Sequence, residues 1–206
     1  MPSASTLAVF LLASYGLAIV PGPAVVYIVN RSLSQGRRAG VVSALGIAIG
    51  GSVHVLAAAV GISAVLASSA VAFAVVKYAG AAYLIFLGFR ALRSSGTMID
   101  LRLTRSSLRR ILTQGVVVNV LNPKTALFFL SFFPQFIDPE AGPILPQMLI
   151  LGSVFIAAAL SSDLLYAVAA GTIREALERR PGLRGGSRWV TAGIFFGLGA
   201  ASALAD

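Results

Sequence analysis

Long apolar runs separated by clusters of arginine constrain this chain more than any other feature. A helix needs about 20 apolar residues to cross the hydrocarbon core of a bilayer. Spans of that kind fit at roughly 5–29, 40–66, 69–92, 111–134, 145–172 and 189–205, with ends uncertain by a few residues. Of 206 residues 57% are hydrophobic and only 11% charged, against about a quarter charged in a soluble domain. Mean hydropathy is +0.89. The expected fold class is therefore all-α integral membrane, with six transmembrane helices and no room for a separate soluble domain. The opening MPSAST lacks a positive n-region, so the first run reads as a retained helix rather than a signal peptide.

The net charge of +9 invites a nucleic-acid reading, and the placement of the charge argues against it. Arg31, Arg37 and Arg38 fall between the first two spans. Arg90, Arg93, Arg102, Arg105, Arg109 and Arg110 fall between the third and fourth. Arg174, Arg179, Arg180, Arg184 and Arg188 fall between the last two. The second and fourth connections hold no basic residue, and the fourth carries Asp138 and Glu140. Basic residues concentrate in cytoplasmic loops and are drawn to anionic lipid. The expectation is a multi-pass protein of a plasma (inner) membrane, with both termini on the non-cytoplasmic side and no nucleic-acid partner. Trp189 beside Arg188 reads as an interface anchor.

Three spans, a basic linker at about 94–110 and three more spans divide the single domain 1–206 into repeats of about 1–93 and 111–206. Three is odd, so the second repeat enters the membrane in the opposite sense. Such 3+3 inverted repeats recur in secondary transporters, where matching Gly/Pro interruptions mark the binding site. Here the first helix of each half is broken, in LAIVPGPAVVY (17–27) and NVLNPKTALFF (119–129). Proline lacks an N–H and clashes with the carbonyl four residues back. Pro21 and Pro23 are therefore expected to free the carbonyls of Leu17 and Ile19, and Pro123 that of Asn119, while Gly22 loosens the backbone between the two prolines. In lipid such groups survive only where they are buried in protein or line a cavity. Freed carbonyls suit an ammonium and the N–H groups of a half-helix suit a carboxylate. Two facing breaks thus suit a zwitterion, although paired kinks could equally be structural.

Lys124 weighs on the functional side. A charge at mid-span costs about 2.5–3.5 kcal/mol on insertion scales and faces an interior or aqueous path, unless its stem snorkels to the interface. Asn119 and Asn122 share a helix face, whereas residue 124 lies roughly 200° round from 122, so the helix cannot stay regular at Pro123 if both face a cavity. Lys77 sits above Gly80, Ala81, Leu84 and Gly88 on a face of mostly small residues; it either lines the cavity or snorkels outward. Asp163 follows Ser161 and Ser162 and shares its face with Tyr166. It could form a salt bridge with a lysine, receive a substrate ammonium or carry a proton. His54, the sole histidine, reads as a packing residue or a proton relay.

Gly46–Gly50 and Gly193–Gly197 are G-x-x-x-G patterns that suit internal packing and leave room for a homodimer. With no cysteine, no H-E-x-x-H and no Walker A motif, no metal, cofactor or conventional catalysis is expected. The rival to a carrier is an intramembrane enzyme working with Lys124, Asp163 and serines such as Ser161; a membrane scaffold comes third.

PGP at 21–23, SLSQGRRAGVVSALGIAIG at 32–50, KYAGAAYLIFLG at 77–88 and NPKTALFFLSFFPQF at 122–136 together resemble the LysE/RhtB family of bacterial amino-acid exporters, almost end to end and nearest its homoserine/threonine-efflux-like branch. The resemblance implies a six-helix plasma-membrane exporter of amino acids, or of another small solute, driven by the proton-motive force. It points to Pro21, Gly22, Pro23, Asn119, Asn122, Pro123, Lys124, Lys77 and Asp163 as substrate-binding residues. It covers His54 as well, and Asp163 or His54 would be the proton-coupling residue.

Overall fold

Proline placement decides where the helices begin. The computed structural model describes residues 2–68 and 105–179, and every regular element among them is helical. Helix α1 (Ala4–Ile19) starts at a Ser3 cap, whose hydroxyl accepts from the Thr6 N–H, and stops two residues before Pro21. Helix α2 (Pro23–Gln35) and helix α5 (Pro123–Ser131) both open on a proline, where the missing N–H costs nothing. Between α1 and α2 the chain turns by 56°; between helix α4 (Leu108–Val120) and α5 it turns by 47°. The two spans expected at 5–29 and 111–134 are thus each a pair of helices. Helix α3 (Arg37–Ser68) and helix α6 (Ile144–Glu178) are continuous.

Within α3 and α6, Arg37–Gly61 and Ile144–Ala176 are long and apolar enough to cross a membrane, with mean hydropathy 1.9 and 2.0. Counting each bent pair as one crossing gives up to four candidate spans among the described residues. The spans expected at 69–92 and 189–205, with Lys77, Trp189 and Gly193–Gly197, lie outside the described residues. Leu12, Val60, Leu121 and Leu165 are each more than 70% exposed, the apolar outer surface that lipid requires.

The arginine pattern needs one correction. Arg31 is not in a loop: α2 runs on to Gln35, and Arg31 is buried in it. Only Gly36, at φ 91°, separates α2 from α3, and its N–H returns to the Ser32 carbonyl. Glycine tolerates that left-handed angle, so two helices join with no loop. Arg37, Arg38, Arg109, Arg110 and Arg174 likewise belong to helix ends. Arg37 reaches Glu175 at 3.5 Å and Thr172 at 3.0 Å across the α3–α6 contact.

Small residues let α3 and α4 approach closely. A methyl on Gly46 would run into the Leu112 carbonyl, one on Gly50 would meet the Val116 carbonyl at 2.6 Å, and one on Gly115 the Ser43 carbonyl at 2.9 Å. The Gly46–Gly50 pattern is therefore an internal contact face. At the other end of the bundle, Phe10 packs among Phe128, Phe132, Phe133 and Phe136, and Phe128 stacks on Phe155. This aromatic cluster ties α1, α5 and α6 together just beyond the breaks. Past it, 3-10 turns at Phe133–Phe136 and Pro139–Ala141 lead into α6. The buried Gln147 holds that connection by donating to the carbonyls of Asp138 and Gly142.

Candidate functional site

The first break, Val20–Gly22, carries no polar side chain, so its carbonyls depend on donors from elsewhere. The Leu17 carbonyl, freed as expected by Pro21, accepts from the Lys124 ammonium at 2.8 Å, and the Val20 carbonyl accepts from the same Nζ at 2.6 Å. The Ile19 carbonyl, freed by Pro23, accepts from the Tyr166 hydroxyl at 2.7 Å. The second break therefore supplies the lysine that closes the first. The stem passes close to Gly22, where a methyl would lie 3.3 Å from Lys124 Cδ. Next to Gly22, Pro21 and Pro23 set the bend; neither offers a donor.

The second break, Leu121–Asn122, is organised largely from within. The Asn122 carboxamide oxygen caps α5 by accepting from the Lys124 N–H at 3.1 Å. The buried Asn119 side chain donates to the Ile47 carbonyl at 2.7 Å and accepts from Thr125 at 2.9 Å and from Asn122 at 3.3 Å. The Asn119 carbonyl, expected to be freed by Pro123, is only partly so: it accepts from the Asn122 N–H at 3.0 Å and pairs with His54 Nε2 at 2.8 Å. A carbonyl only accepts, so Nε2 carries the proton in this contact. The imidazole lies parallel to Phe129, 6.2 Å between ring centres. Asn119, Asn122, Thr125 and His54 thus form one hydrogen-bonded unit around Pro123, while the Lys124 side chain leaves it for the first break.

Asp163 lies on α6, one turn before Tyr166, and is only 5% exposed. Its charge and that of Lys124 act on each other, yet no ion pair or hydrogen bond of its carboxylate is found among the described residues. Of the sequence-predicted residues, Pro21, Gly22, Pro23, Lys124 and Asp163 gather around the first break. Lys77 lies outside the described residues.

Four further polar side chains have roles that the sequence does not reveal: Tyr166, Tyr15, Arg31 and Tyr27. Tyr166 was placed only on Asp163's face, although a carbonyl freed by Pro23 needed a donor. Tyr15 bonds Ser161 at 2.9 Å, holding α1 to α6 two residues from Asp163. Arg31 donates to Gln114 at 2.7 Å, and Tyr27 to the Ile111 carbonyl at 2.7 Å, joining α2 to α4. A cavity of about 430 Å³ opens beside them, lined by Tyr27, Arg31, Thr113, Gln114, Val117 and Val118. A smaller one of about 280 Å³ lies nearer the ends of these helices, at Gln35, Arg105, Ser106 and Arg174. Lys124 and Asp163 line neither. No cluster of His, Cys, Asp or Glu suited to a metal occurs among the described residues.

The LysE type translocator family matches residues 16–205. A homoserine/homoserine lactone efflux protein of Salmonella typhimurium is 39% identical over 145 residues, 69% of each chain. An uncharacterized membrane protein of Vibrio cholerae is 35% identical over 147 residues, 69% of this chain and 70% of its own. The Bacillus subtilis membrane protein YrhP is 34% identical over 148 residues, 67% of this chain and 70% of its own. No solved structure matches. With the family pattern running over most of its length and curated relatives at these identities, the chain belongs to the LysE family of membrane translocators.

Proposed function

We propose that this protein exports amino acids, neutral ones of the homoserine type foremost, from the cytoplasm across a bacterial plasma membrane. The observation that carries the reading is the Lys124 ammonium on the carbonyls of Leu17 and Val20. It brings the two broken helices face to face at one point inside the apolar bundle. The homoserine efflux relatives supply the substrate class and the direction.

The substrate sits between the breaks. Its ammonium is received by freed carbonyls at the end of α1 and by Asp163. Its carboxylate is held by Lys124 or by backbone N–H groups at the start of a half-helix. The full chain crosses six times as a 3+3 inverted repeat with both termini outside. Helices α2 and α4, each of 13 residues and so about 20 Å long, form the cytoplasmic halves of the two broken spans. Equal lengths put the breaks at one depth, as a shared site requires. Rocking one repeat against the other gives alternating access to that site.

Protons drive the cycle through Asp163, with His54 the second choice. One proton entering down 100 mV releases about 2.3 kcal/mol, whereas a tenfold solute gradient costs about 1.4 kcal/mol. One proton per substrate therefore sustains a useful gradient. Uptake of a labelled amino-acid panel into inside-out vesicles, with and without an imposed proton gradient, tests the reading. Gradient-dependent accumulation that is lost in Lys124→Ala and Asp163→Asn is expected. Absence of movement for every amino acid, in vesicles holding folded protein, would sink it.

A further inference from the structure

A primary ammonium has three N–H donors and no acceptor. Lys124 gives two of them to the carbonyls of Leu17 and Val20, and among the described residues the third meets no acceptor within hydrogen-bonding distance. Both carbonyls lie at the C-terminal end of α1, where the helix dipole is negative. The Asp163 carboxyl on α6 lies near the same ammonium without pairing directly with it. The result is a part-buried cradle for one R–NH3+ group. The group that fills it is chemically the same as the ammonium of an amino acid.

We propose that this cradle is an ammonium subsite which the protein's own Lys124 occupies when no substrate is bound, and that the exported amino acid takes it by displacing Lys124. This rests on the reading of the two breaks as the substrate site. Displacement turns a lysine already parked among carbonyls into a cation released beside the incoming molecule. A zwitterion brings a carboxylate that meets this released cation. A simple amine brings none, and a simple acid has nothing to place in the cradle. Selectivity for amino acids over amines and acids then follows from one exchange at one place. Gly22 leaves the lysine stem room beside the break, since a Cβ there would lie 3.3 Å from Cδ.

The test uses the full-length protein in nanodiscs and two probes that do not depend on knowing the substrate. Methylammonium can donate to the carbonyls; tetramethylammonium cannot. In Lys124→Met, methylammonium binding should tighten at least tenfold over the parent protein, with tetramethylammonium unchanged in both. Equal methylammonium binding by the parent and a folded, monodisperse variant overturns the proposal. A second measurement needs no variant. Brief acetylation of the parent protein, read by mass spectrometry at Lys124, should increase several-fold when the transported amino acid is added. Unchanged Lys124 labelling in the presence of an amino acid that the same preparation demonstrably transports also overturns it. In that case the assignment of transport stands and only the displacement fails. If no amino acid is transported the functional reading fails instead, and the methylammonium comparison still decides whether the cradle takes an ammonium.

Discussion

The two breaks solve the same problem with opposite resources. Each interrupts an apolar helix with proline and leaves backbone carbonyls that a membrane interior does not hydrate. At Leu121–Asn122 the chain supplies most of the repair itself: Asn122 caps α5, and Asn119 knits the turn to Thr125 and to Ile47 of α3. His54 is added from α3. At Val20–Gly22 nothing local helps, and all three carbonyls rely on Lys124 and Tyr166 from the second half of the chain. A turn repaired from within is held in one shape. A turn repaired from outside can change its partners, and that is the turn where a substrate and a moving repeat have work to do. The comparison assigns folding to the second break and exchange to the first.

Lys124→Met cuts this assignment most deeply. Hydrogen bonds to a charged group contribute about 1.5–3 kcal/mol each, and about 2.7 kcal/mol corresponds to a hundredfold change. Export in vesicles should fall by about that factor, further than any loss of folded protein accounts for, because the second break stays intact. A collapse in stability as large as the loss of export would show that the first break is a structural joint like the second.

Asn119→Leu should behave in the reverse order. It removes the bond to Ile47 and leaves Thr125 and Asn122 without their acceptor in a buried position. At about 1 kcal/mol for each bond, tempered by the lower average seen between membrane helices, a loss of about 2 kcal/mol in unfolding experiments is expected. Export should then decline only as folded protein is lost. A specific export defect in fully folded Asn119→Leu would move the second break into the transport machinery.

His54→Phe is the milder probe of the same break. Phenylalanine keeps the ring parallel to Phe129 and gives up one bond to the Asn119 carbonyl, so about 1 kcal/mol of stability is at stake. Proton-gradient dependence of uptake should survive in this variant if Asp163 is the coupling group. Its disappearance would hand that role to His54.

Much of this was legible before any coordinates, and for a physical reason. Proline acts on a fixed partner four residues back, so Leu17, Ile19 and Asn119 could be named as the freed carbonyls from sequence alone. All three accept hydrogen bonds from side chains of distant elements. What proline cannot reveal is the identity of the donor, which depends on how helices far apart in sequence pack. The charge of Lys124 at mid-span is evident in the sequence; its reach to Leu17 and Val20 is not. Arg31 was assigned to a loop because arginines before a second apolar run look like a connection. The whole connection is one glycine at φ 91°, so α2 runs through Arg31 to Gln35, and positive φ at one residue leaves no periodic trace in sequence.

Tyr166→Phe gives the smallest effect and the sharpest reading of the first break. It deletes one neutral hydrogen bond, to the Ile19 carbonyl, and leaves the ring and its neighbours in place. Such a bond contributes about 0.5–1.5 kcal/mol, so a two- to tenfold change is the scale to look for. If the first break is a place of exchange, that change should appear in export rate or apparent affinity rather than in the unfolding midpoint. Tyr166 stands one turn from Asp163 on α6, so the variant also reports whether the helix carrying the acidic group must be tied to α1 for transport. An unfolding free energy lowered by the full contribution of about 1.5 kcal/mol, with export per folded molecule unchanged, would show that Tyr166 braces the first break as Asn119 braces the second. Lys124 would then be the sole exchangeable contact there.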